Sequence, residues 1–319
     1  DMDLASEEIA WNEIERVIDR AKAAEPIAEE APSSWPRIEG TVRCRTEAFT
    51  YEPFTWRPLH ASVTFTPDDL RVAVTEADMC GISTLGAINL EGEDIELDFR
   101  LITKDGDLEP TFPCLSDTER QVTGQFDLTG NLSAKAKGDA LVRALRGHLE
   151  LSARSGSILR DPVLSKVFSF LNVTEMLRGK MPDLASDQLP YDSLTIKADL
   201  QDGNLVLNET VLSGPTVGIV GDGTVHLIDK KVNIKLIVAP LRTVDFIIER
   251  TPIVKNVMGG KLVTVPVRIA GDWEDPDVTM LSATAVGSRL LEIMKNTVLL
   301  PVELVEPVLP KQDEEGESP

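Results

Sequence analysis

The chain has 319 residues, enough for one large domain or two ordinary ones, so it needs no disulfide or metal staple to hold a core. Its 32 Lys and Arg against 53 Asp and Glu leave a net charge of −21, a surface that repels phosphate backbones and argues against nucleic-acid binding. Aromatic residues are 5% of the chain against 42% hydrophobic overall, which calls for a core of Val, Leu, Ile and Ala and disfavours stacking platforms for bases or sugars.

Residues 1–34 read as an acidic amphipathic helix followed by a linker. Residues 1–30 carry ten acidic and three basic residues, and Ile9, Ile14, Val17, Ile18 and Ala21 recur at helical spacing. Pro32, Ser33, Ser34 and Pro36 then mark the linker. Residues 35–160 read as an antiparallel strand meander. Short alternating runs at 37–43, 61–65, 70–74, 95–101 and 148–151 are separated by turn residues at Thr66–Asp69, Glu91–Asp94 and Lys104–Asp107.

Asp161 and Pro162 then open a helix closed by Gly179. Strands resume at 194–200, 205–207, 224–228, 232–238 and 262–270, with turns at Gln201–Asn204 and Asp229–Lys230. A second helix is expected over 243–258. Residues 282–319 read as a terminal helix, from about Ser282 to Leu300, and an acidic tail of net charge −3 over 311–319. The fold class is mainly β with a few helices (α+β).

Catalytic chemistry finds no foothold. Cys44, Cys80 and Cys114 and His60, His148 and His226 are widely separated, with no metal-ligand or redox spacing, and no G-x-S-x-G elbow is present. Three cysteines fit either a reducing compartment or an envelope protein with at most one bridge, of connectivity the spacing leaves open. Gly221-Asp222-Gly223 lacks the third glycine and following helix of a dinucleotide loop and reads as a tight hairpin. Asp161, Asp202, Asp222 and Asp275 fall at turns or helix starts, where backbone hydrogen bonds account for them. The reading is of a non-enzyme without catalytic residues, metal or cofactor.

The strands carry one aliphatic face. Such faces pack on each other in a sandwich, or a long curved sheet leaves its face open as a groove for acyl chains. By alternation, the groove-lining candidates are Leu194, Ile196, Leu205, Leu207, Val225, Leu227, Val232, Ile234, Leu236, Val263, Val265, Val267 and Ile269. A slip of one residue would turn all of them to the other face.

Over about 125 residues the second half resembles the C-terminal region of the AsmA-like family of bacterial envelope proteins, with its TamB-type and YhdP-type members. The resemblance runs in order through Ser155-Gly156-Ser157-Ile158, Asp161-Pro162, Phe170-Leu171-Asn172, Leu177-Arg178-Gly179, Met181-Pro182-Asp183-Leu184 and Leu189-Pro190-Tyr191. It continues through Asp202-Gly203, Gly221-Asp222-Gly223-Thr224-Val225, Val238-Ala239-Pro240-Leu241, Val265-Pro266-Val267, Ala270-Gly271 and Asp275-Pro276-Asp277-Val278. Thr251-Pro252-Ile253-Val254-Lys255 stands where the family has Ile-Pro-Leu-Val-Gly.

The resemblance supports a long curved antiparallel sheet over 35–280, with 161–281 as its C-terminal groove region, capped by amphipathic helices, that binds phospholipid or other acyl-chain lipid and supports its transport between inner and outer membranes. It implies the periplasm of a Gram-negative bacterium and a parent protein anchored in the inner membrane by a segment outside this chain, which begins without Met. The alternative is an envelope assembly or docking module that binds a protein partner without carrying lipid. Its candidate docking segment is 298–310, where prolines and glutamates interrupt Val and Leu.

Overall fold

Alternating aliphatic and polar residues give each strand one face to bury and one to solvate, and tight turns between them favour pairing with the next strand in sequence. The computed structural model describes residues 1–16, 39–67, 69–116, 121–159, 162–176, 188–240, 262–297 and 302–304. It shows one long open sheet, with strands β1 to β14 hydrogen-bonded in chain order. The strands are β1 (Met2–Ala10), β2 (Gly40–Tyr51), β3 (Phe54–Phe65), β4 (Asp69–Met79), β5 (Ile82–Glu91), β6 (Asp94–Asp107) and β7 (Gln121–Lys137). They continue through β8 (Arg146–Leu159), β9 (Gln188–Gln201), β10 (Asn204–Ser213), β11 (Val217–His226), β12 (Lys231–Pro240), β13 (Leu262–Asp272) and β14 (Asp277–Met280). β15 (Val302–Leu304) pairs with β13 beyond the end of β14.

The sheet is mixed rather than purely antiparallel, because β1 runs parallel to β2 and β15 parallel to β13. The reading of residues 1–30 as one helix is corrected here: Met2–Ala10 form an edge strand and only 11–16 are helical, with 17–30 outside the described residues. The side chains of Met2–Glu8 are exposed, so no buried face imprints a period on the sequence; the hydrogen bonds of β2 decide the conformation. The helix expected over 243–258 also lies outside the described residues, as do Asp161 and the segment 305–310.

Among the described residues four further α-helices accompany the sheet: α1 (Leu108–Leu115), α2 (Leu141–Ala144), α3 (Pro162–Met176) and α4 (Ser288–Thr297). The Asp107 carboxylate accepts the Glu109 amide at 3.0 Å and caps α1. Because α1 contains Pro110 and Pro113, it is a weak helix on its own, and a Cys80–Cys114 disulfide pins it to the β4–β5 turn. The reading of Lys104–Asp107 as a reversal is corrected as well. These residues end β6, with a bulge between Thr103 and Gly106, and α1 lies between β6 and the antiparallel β7.

Helices α3 and α4 cover opposite faces of the C-terminal strands. Val167 of α3 is fully buried in a cluster with Phe126, Leu189, Tyr191, Leu236, Val265 and Val267. On the other face Leu290 and Met294 of α4 pack against Val220, Ile237 and Ala239. The path of α3 shows that the sheet bends. Six strand steps separate β8 from β14, about 29 Å in a flat sheet, and the β13–β14 turn lies at the far end of the strands. Yet Lys166, seven residues after the end of β8, reaches Asp275 Oδ1 at 2.7 Å and the Pro276 carbonyl at 3.2 Å in that turn. A chain of that length cannot bridge a flat sheet, so the C-terminal strands curl back over the end of β8, with α3 on the inner side.

Candidate functional site

Register joins aliphatic residues into one continuous face across the sheet, while the C-terminal strands carry a second apolar face beneath α4. Across the first strands a row runs Val42, Val63, Val72, Ile88, Leu97 and Ala134, each directly opposite the next. Across the rest a second row runs Leu101, Gly130, Leu149, Ala198, Leu207, Gly223, Ile234, Ile269 and Val278. From β3 to β9 the opposite face carries charged residues, cross-linked by ion pairs between neighbouring strands. These include Glu96–Lys135 (3.1 Å), His60–Glu76 (2.8 Å), His148–Asp199 (2.8 Å) and Arg154–Asp127 (3.0 Å).

The thirteen groove candidates divide by burial. Leu236, Val265, Val267 and Ile269 are buried in the core beside α3, and Leu194, Val232 and Ile234 pack against that core. Ile196, Leu205, Leu207 and Val225 are half-buried on the same face, joined by the pairs Leu207–Ala198 and Leu205–Val225. Leu227 falls in the β11–β12 turn, its amide donating to the Gly203 carbonyl at 3.0 Å, and Val263 lies on β13, its side chain outside the described set. The C-terminal candidates are thus the covered part of the face.

The open part is elsewhere, on strands of the 35–160 meander that belong to the expected curved sheet but for which alternation named no lining residues. From β2 to β6, Val42, Val63, Val72, Val74, Ile88, Leu97 and Phe99 are only half-buried. Among the described residues no helix or second sheet lies over them. Cys44 shares this face between Val42 and Thr46, and partial burial pushes its thiol pKa up. Cys80 and Cys114 are bridged, which resolves the cysteine pairing.

Gly221-Asp222-Gly223 is not a hairpin: it lies inside β11. A Cβ at Gly223 would sit 2.5 Å from the Asn233 carbonyl oxygen and 2.6 Å from Ile234 Cα, so close approach of β12 explains the glycine. Asp222 is therefore a half-buried strand residue rather than a turn residue, whereas Asp202 and Asp275 do sit at turns. His226 ends β11 and its Nδ1 lies 2.6 Å from Asn204 Oδ1. Among the described residues no three His, Cys, Asp or Glu side chains converge as metal ligands.

A second feature escaped the sequence reading. Although the chain has only four Trp, two Tyr and nine Phe, five of these rings meet where β2 and β3 join. Trp11 meets Tyr51 edge-on at 6.0 Å, Phe49 lies 6.0 Å from Trp56, and Phe54 lies 6.4 Å from Trp56. The indole of Trp56 donates to Thr84 Oγ1 at 3.0 Å. Beside them Trp11, Asn12, Glu15, Thr50 and Glu52 line an open cavity of about 420 Å³.

No family model, curated protein or solved structure matches the chain.

Proposed function

We propose that the chain is a non-catalytic lipid-binding segment whose open aliphatic face, over β2 to β6, holds the acyl chains of phospholipid in a groove. The observation that carries this reading is the unbroken row of half-buried aliphatic side chains on a bent, open sheet whose other face is charged from β3 to β9. A single-layer sheet with one wet apolar face is costly to leave uncovered, and each methylene that a lipid tail removes from water contributes about 0.8 kcal/mol. Helix α3 fills the C-terminal end of the same face, so the groove runs from β2 toward α3. The Cys80–Cys114 bridge fits an oxidising compartment such as the periplasm. Within this reading the chain serves lipid transport between the inner and outer membranes of a Gram-negative envelope, as part of an inner-membrane-anchored AsmA-like protein.

The test is photo-crosslinking to phospholipid from a photoreactive residue placed at Val72, Ile88 or Leu97, compared with Arg71, Asn89 or Glu96 on the other face. Adducts confined to the first set support the groove; equal labelling of both faces, or none, overturns it.

A further inference from the structure

We propose that the aromatic corner at the β2–β3 turn docks the protein on the surface of a zwitterionic lipid bilayer. The described residues expose nine large apolar side chains, and three of them, Trp11 (40% exposed), Tyr51 (46%) and Phe54 (38%), are the rings of this one corner. Trp, Tyr and Phe pair an apolar body with, in the first two, a polar edge, and such rings settle at the boundary between headgroups and acyl chains.

Charge selects the kind of bilayer. Around the corner three basic residues, Arg16, Arg45 and Arg57, stand against four acidic ones, Glu13, Glu15, Glu47 and Glu52, so no basic patch is present to hold anionic headgroups, and the net −21 of the chain repels them. The opposite end of the sheet is acidic on balance: Asp69, Glu91, Glu93, Asp94, Asp272 and Glu274 lie at its turns, with Lys137, Arg146, Lys230 and Lys231 among them. The sheet therefore has one aromatic corner of small net charge to place against a membrane and a more acidic opposite end to keep away from it. Phe49 and Trp56 belong to the register rows of the aliphatic face, opposite one another and with Trp56 facing Met79, so the corner is continuous with that face.

The experiment is co-sedimentation of the full chain, stripped of lipid, with phosphatidylcholine vesicles. The wild type binds, and combined Trp11→Ala, Tyr51→Ala and Phe54→Ala substitution weakens binding at least about tenfold, a loss of some 1.4 kcal/mol of interfacial burial. Trp11→Phe, Tyr51→Phe and Phe54→Trp together keep the rings and keep the binding, which separates docking from misfolding. Glu91→Gln with Glu93→Gln at the far end leaves it unchanged. Failure of the wild type to bind, undiminished binding by the triple alanine variant, or a preference for phosphatidylglycerol vesicles overturns the proposal. Crosslinking at Ile88 is read separately: its loss with vesicle binding intact removes the acyl-chain groove and leaves the docking corner standing.

Discussion

Replacing Cys80 and Cys114 by Ala should loosen one defined part of the sheet. The bridge spans 34 residues that contain β5, β6 and α1. Loop-closure entropy for that length gives about 3.8 kcal/mol of stabilisation of the folded state, an upper figure because the unlinked unfolded chain keeps some compactness. Locally the bridge works with three hydrogen bonds: Thr111 Oγ1 to the Cys80 carbonyl (2.8 Å), Thr103 Oγ1 to the Gly81 carbonyl (3.0 Å) and the Gly81 amide to Asp78 Oδ1 (2.8 Å). Leu108 of α1, buried with Ile82 and Phe126, adds apolar contact. These survive the substitution, so the fold persists while the opening equilibrium of the loop shifts. Hydrogen exchange of the β5 and β6 amides should accelerate by up to about 600-fold, the equivalent of 3.8 kcal/mol. Acceleration of less than about tenfold in β5 and β6, or acceleration concentrated in β11 to β13, would refute the reasoning.

Tyr191→Phe should cost about 1–2 kcal/mol in denaturant unfolding, because its buried hydroxyl donates to the Thr123 carbonyl at 2.6 Å and that acceptor is left unpaired. Acid should weaken the tie between α3 and the β13–β14 turn while Val167 keeps the helix packed. Lys166 holds the Asp275 carboxyl below its ordinary pKa of 3.8, so this contribution is complete above that value and is lost as pH falls through the lower folded value. A carboxyl NMR titration of Asp275 should move up toward 3.8 in Lys166→Gln; an unmoved curve would show the pair is not formed. Cys44 should react slowly with maleimide at pH 7, since burial raises its thiol pKa, and bound phospholipid should slow it further; a rate unaffected by lipid would place the tails elsewhere.

The strands with strict alternation were legible in the sequence, and so was the common face of Leu194, Ile196, Leu205, Leu207, Val225, Val232 and Ile234, because a period of two fixes which side chains share a face once the register holds. Strand lengths were not. The run at 61–65 is part of a twelve-residue strand from Phe54, whose earlier half contains Pro58 and His60 and so breaks the pattern. Edge strand β1 was unreadable because its exposed side chains leave conformation to a partner forty residues away. Which part of the face is covered depends on where α3 lands, and that is set by the curl of the sheet and the Lys166–Asp275 contact 109 residues apart. The aromatic corner was hidden for a similar reason: a 5% aromatic content is an average, and register brings rings from 11, 49, 51, 54 and 56 together.

The central claim is that lipid tails lie on the aliphatic face of β2 to β6. The direct measurement compares phospholipid crosslinking from adjacent positions on one strand, Ile88 on the aliphatic face and Asn89 on the charged one. Strong adducts from position 88 with background labelling from 89 are expected; equal yields, or adducts from 89 alone, would contradict the account.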